Sequence, residues 1–109
     1  MKRIVTLMLG VIMALQLWAD NSLQAGQQVT IGNDCYATVV PETLDKLDEY
    51  IHNENFDMYS TFFKFGYATN LDKDTHAVVV KVQGKKAQIR LDNHMLWWVW
   101  TDSINLRNQ

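Results

Sequence analysis

Cysteine occurs once in this chain, at Cys35, proline once, at Pro41, and glycine only five times in 109 residues. A lone cysteine excludes an internal disulfide, so a small domain must be held by packing, and it excludes a structural zinc site built on cysteine pairs. With so little proline and glycine, and no internal repeat, nothing divides the chain into linker and module, and its length allows one domain. Positive charge is also short. Ten Lys and Arg stand against twelve Asp and Glu, a net charge of −2, which disfavours a nucleic-acid or membrane-surface binder. Nor is there an uninterrupted apolar run of the ~20 residues that a membrane span requires.

What is present begins with an export signal. Met1-Lys2-Arg3 is followed by the apolar stretch Ile4 to Leu17, broken only by Thr6, Gly10 and Gln16, and then by Leu17-Trp18-Ala19 before the polar Asp20-Asn21-Ser22. A basic start, an apolar centre and a small residue at the cut make a secretory signal peptide. The expectation is a periplasmic or extracellular protein, cleaved after Ala19 with Ala25 as a second site, whose residues 20–109 form one domain without a membrane span. Removing residues 1–19 takes Lys2 and Arg3 and no acid, so the net charge moves from −2 to −4. Gly32-Asn33-Asp34 before Cys35 is polar and lies beyond the apolar run, so no lipid anchor is expected there. The thiol is free or bridged to another molecule.

The domain reads as strands, a helical middle, then strands. Val29-Thr30-Ile31 and Tyr36 to Val40 are rich in β-branched residues and are separated by a Gly32-Asn33-Asp34 turn. Pro41 suits the first position of a helix, and Leu44, Leu47 and Ile51 form an apolar stripe over Pro41 to His52. Asn53 or Asn55 caps a second helix from Phe56 to Phe65, ended by Gly66, with Phe56, Tyr59, Phe62 and Phe63 packed on the first helix and a sheet. After Gly66 the apolar period falls to two. It predicts strands over Tyr67 to Leu71, His76 to Gln83, Ala87 to Asp92 and Met95 to Trp100, then a Thr101-Asp102-Ser103 turn before Ile104. In the hairpin, Val78, Val80 and Val82 are expected on one face with Ile89 and Leu91, and Lys81, Gln88 and Arg90 on the other.

The succession of Ala25-Gly26-Gln27-Gln28-Val29, two helices, Gly66-Tyr67-Ala68, Leu71-Asp72-Lys73-Asp74-Thr75, Val78-Val79-Val80, Gln88-Ile89-Arg90-Leu91 and Trp98-Val99-Trp100 resembles the bacterial SH3-like domains with a helical insertion in the first long loop. The resemblance covers about Ala25 to Leu106. It implies an α+β, mainly β fold: an SH3-like small barrel of about five antiparallel strands with two inserted α-helices. The acidic and aromatic loop residues with which eukaryotic SH3 domains bind polyproline have no clear counterpart, so that ligand class is not implied.

Four residue sets carry possible chemistry. Gly32-Asn33-Asp34-Cys35 is similar to the Asp-Cys-Ser-Gly opening of NlpC-type cell-wall peptidases, with His76 or His94 as the base. Here Tyr36-Ala37 replaces Ser-Gly, and the helix starts about a turn late, which removes the dipole that would activate the thiol. A buried, inert Cys35 is the expectation, and a small cysteine hydrolase the alternative. His52, His76 and His94 are isolated in sequence. Asn70, Asp72 and Asp74 imitate a calcium loop, but Thr75 stands where its glycine belongs. No metal or cofactor is expected. Lys81, Lys85, Lys86 and Arg90 make a basic hairpin able to meet an anionic ligand. Of the tryptophans, Trp98 is assigned to the core. Trp97 and Trp100 are assigned to contact, with Tyr67 a weaker third, since exposed aromatics mark interfaces. The expected function is a non-catalytic exported module whose partner is a protein, peptide or cell-wall component, bound through Trp97, Trp100, Arg90, Lys81 and Tyr67.

Overall fold

The computed structural model describes residues 23–106, so the signal peptide expected over residues 1–19 lies outside them. The elements are β1 (Gln28–Ile31), β2 (Cys35–Thr38), α1 (Pro41–His52), α2 (Phe56–Lys64), β3 (Ala68–Leu71), β4 (His76–Gln83), β5 (Lys86–Leu91), β6 (Leu96–Trp100), a 3-10 turn (Thr101–Ser103) and β7 (Ile104–Leu106). The strands pair antiparallel in one sheet of order β3-β2-β6-β5-β4-β1-β7. The fold is α+β and mainly β, as expected, with seven strands where the resemblance implied a barrel of about five and where the sequence pattern had already placed strands at the β2 and β3 positions. The additional pair, β2 and β3, frames the two helices and joins the rest of the sheet where Thr38 lies opposite Trp98.

Both helices begin and end on local signals. Pro41 opens α1, where its missing N–H removes no hydrogen bond, and Leu44 and Leu47 bury the first part of the apolar stripe, while Ile51 near the helix end is exposed. The Asn55 side chain accepts a hydrogen bond from the Met58 amide at the start of α2. At the other end, the Gly66 amide donates to Phe63 and the Tyr67 amide to Phe62, while Gly66 takes φ of +81°. This paired reversal is a Schellman ending, and its usual apolar contact is present: the Phe62 and Tyr67 rings meet with centroids 6.2 Å apart.

The main core lies on the inner face of the sheet and joins Val29, Ile31, Ala37, Val79, Ala87, Ile89, Val99 and Trp97, with Cys35 packed at its edge. Two facing assignments made from the sequence are reversed. In β4 it is Ala77 and Val79 that are buried inward, not Val78 and Val80. Val80 and Lys81 together oppose Gln88, a bulge that shifts the alternation by one residue. Val82 therefore returns to the inner side opposite Ala87 and packs on the core. In β6, Trp97 belongs to the inner core, and Trp98, on the outer face, is buried as well, at 5% exposure against 8% for Trp97. Helix α1 packs across β6 and β2, so Trp98 shares a second buried layer with Thr38, Leu44, Leu47 and Ala68.

Both tryptophans are thus structural. Trp97→Ala and Trp98→Ala are each expected to lower the unfolding free energy by about 3 to 5 kcal/mol, the range for emptying a core aromatic site, as read from urea denaturation. A Trp97→Ala protein as stable as the parent would overturn the inner-face assignment.

Candidate functional site

With Trp97 and Trp98 buried, the aromatic surface falls to the end of β6 and the helices beside it. On β6 the outward positions alternate, so Trp100 follows Trp98 on the outer face but lies past the cover of α1 and is only half-buried. Across the sheet it stands opposite Lys86, whose ammonium sits 5.6 Å from the centre of the indole ring. The same ammonium pairs with the Asp45 carboxylate of α1. The Trp100 indole N–H donates to the Tyr36 hydroxyl at 3.3 Å, and the Tyr36 ring meets Tyr59 of α2 edge-on with centroids 6.2 Å apart. Tyr59 in turn packs on Phe63 at 4.8 Å. These contacts run as one row from the sheet onto the second helix.

Helix α2 is apolar but contains no buried residue. Its rings cover one another and the flank of the sheet, and they remain partly open to solvent. Phe56 is 55% exposed, so the helix is less deeply packed than its aromatic stripe suggested.

Besides Lys86, the row has carboxylates of α1 near its border. Asp45 and Asp48 are exposed on α1, three residues apart and therefore on one side of the helix. The Asp48 carboxylate acts on the Tyr36 phenol. Burial, chiefly, and then this carboxylate push the Tyr36 pKa up, against the hydrogen bond from Trp100. Burial also raises Tyr59. Both phenols therefore stay protonated at neutral pH. The Lys86 contacts are modest in energy. Asp45 is mostly exposed, and a surface ion pair contributes about 0 to 1 kcal/mol, with a further ~0.5 to 1 kcal/mol from an ammonium over an exposed ring. Lys86 is held in place without being locked there.

The five binding residues chosen from sequence do not form one site. Trp97 is inside the core and is withdrawn from any contact role. Trp100 is in the aromatic row. Arg90 is exposed on the outer face of β5, four residues from Lys86 and so about 13 Å along the strand. Lys81 is exposed on β4, opposite Gln88. Tyr67, 57% exposed, lies at the far end of α2 against Phe62. Of the basic hairpin residues, Lys86 is the one that reaches a tryptophan. Tyr36 and Asp45 were not chosen as site residues from sequence, and Tyr59 was read as part of a packing stripe. The one signal for Tyr36 was its alternation with the inward Ala37 on a short strand.

The thiol of Cys35 packs at the edge of the core. Burial is the largest influence on it and pushes its pKa up. A hydrogen bond with Ser103 opposes this, and the neighbouring Asp34 carboxylate adds to it. His52, His76 and His94 are exposed on three different parts of the fold, and among the described residues no three His, Cys, Asp or Glu side chains gather as metal ligands do. A cavity of about 530 Å³ between Leu23, Val82, Thr101 and Ile104 has no titratable residue in its wall. It offers shape but no acid or base. Among the described residues no helix is long and apolar enough to cross a membrane.

Comparison with known proteins adds no relative: no family model, curated protein or solved structure matches the chain.

A raised thiol pKa has two readable consequences. Cys35 is expected to react with iodoacetamide at pH 7 more slowly than a free thiol such as glutathione, and fast labelling below about pH 7 would instead mean an activated thiolate. The folded chain also keeps this proton at pH values where the unfolded chain loses it. Its contribution to stability is therefore present below the ordinary thiol range and is lost as pH rises through that range toward the raised value. Replacing Cys35 by Ser should flatten that part of the stability profile, measured by denaturation from pH 7 to 10.

Proposed function

We propose that this chain is an exported, non-catalytic SH3-like binding module whose ligand is a protein, a peptide or a cell-wall component. The observation that carries the reading is the partly open aromatic row of Trp100, Tyr36, Tyr59 and Phe63 at the seam between sheet and helices. Aromatic side chains held by their neighbours offer large contact area with little further loss of side-chain freedom, which is why they dominate binding surfaces. The strand succession β7-β1-β4-β5-β6, with a 3-10 turn before the last strand and the helices inserted between β1 and β4, supports the SH3-like part of the proposal. Export rests on the sequence of residues 1–19. The alternative, a small NlpC-like cysteine hydrolase, needs a thiolate at Cys35. Burial moves that thiol in the opposite direction.

The test is co-sedimentation of the purified protein with insoluble cell-wall sacculi, together with capture of envelope proteins on the immobilised chain. Trp100→Ala and Tyr59→Ala should each weaken retention by about tenfold or more, the cost of truncating a central interface aromatic, while both variants still unfold cooperatively on heating. Retention that survives both substitutions would remove the aromatic row from the binding site. If sacculi and envelope proteins alike fail to bind the parent chain, the module reading fails.

A further inference from the structure

The seam also indicates the charge of what binds there. Its one internal occupant is a cation: Lys86 lies over Trp100 and against Asp45. Among the described residues that is the one ion pair, and Asp48, exposed a helical turn further along α1, takes no part in it. The charge of the whole chain is divided in the same sense. Between Pro41 and Asp57 there are six acidic residues against the single Lys46, whereas His76 to Arg90 contains lysines and an arginine and no acid. An anionic ligand approaching the helical side meets repulsion, and a basic one is drawn toward it.

Resting on the module reading above, we propose that the seam receives an extended, lysine- or arginine-bearing peptide segment, with Asp48 and the Tyr36 and Tyr59 rings taking a cation beside the place held by Lys86. An ammonium or guanidinium group gains from a ring face and from a carboxylate together, and Lys86 makes that pair of contacts at this seam with Trp100 and Asp45. The uncharged parts of such a segment lie along Tyr59 and Phe63. Protonated phenols add hydrogen-bonding groups without adding charge.

The experiment is a titration of the purified full chain with a capped peptide alternating glycine and lysine, and with its glutamate counterpart, followed by heat and by tryptophan fluorescence. The lysine peptide should bind saturably and lose affinity as salt is raised, and the glutamate peptide should not bind. Asp48→Asn, at an exposed position, should weaken the lysine peptide about fivefold with an unchanged melting temperature, and Tyr59→Ala by a similar factor. Binding unchanged in both variants would place the cation elsewhere and overturn the proposal. No binding of the lysine peptide, while retention on sacculi or envelope proteins still depends on Trp100, would overturn the basic ligand and leave the module reading standing. Concentration-dependent dimerisation abolished by Lys85→Glu would also overturn it, by assigning the seam to a second copy of the chain.

Discussion

Strand β6 carries large apolar side chains on both faces, and a strand of that kind must be covered twice. Trp97 and Val99 turn inward and complete the core with Ile89 and Val29, while Trp98 turns outward and would be left in water by a bare sheet. Helix α1 closes over it with Leu44 and Leu47. With no internal disulfide to staple the chain, this double cover ties the helical insert to the sheet. Burying an indole on each side contributes on the order of a few kcal/mol per ring, a large share of the stability of a small domain.

The seam follows from where that cover stops. Helix α1 shields Trp98 but not Trp100, the next outward position, so the end of β6 is left with a half-covered indole. Tyr36 reaches it from β2 and Lys86 from β5, contributing a hydrogen-bond acceptor and a cation, and Tyr59 of α2 continues the row from the Tyr36 ring. The acidic flank of α1 borders the row because that face of the helix points to water. Asp45 meets Lys86 there, and both carboxylates stand at exposed positions that require no buried partner.

The helices were legible in the sequence because their signals are local. Pro41, the Leu44 and Leu47 spacing, Asn55 and Gly66 act within a turn or two of chain, and the structure uses each of them. Strand positions were legible for the same reason. Which face each strand turns inward was less so. The valines of β4 alternate evenly in sequence, and only the pairing with β5 shows the bulge that reverses their facing. Trp97 and Trp98 are equally bulky neighbours, so alternation alone does not say which one enters the main core and which the helix side. The site was hardest to read. Tyr36 meets Tyr59 and Trp100, and Lys86 meets Asp45, across separations that no local pattern spans. Arg90 and Lys81 share a sheet face with Trp100, but sharing a face did not bring them to it.

The central claim is that β6 is buried on both faces over Trp97, Trp98 and Val99 and opens toward the aromatic row at Trp100. Hydroxyl-radical footprinting with peptide-level mass spectrometry measures this directly, side chain by side chain in the folded chain. The account predicts strong modification of Trp100 and measurable modification of Tyr36 and Tyr59, with Trp97 and Trp98 protected until the protein is unfolded. Trp97 modified as readily as Trp100 would contradict it, because the inner core and the seam would then have been assigned to the wrong faces of the strand.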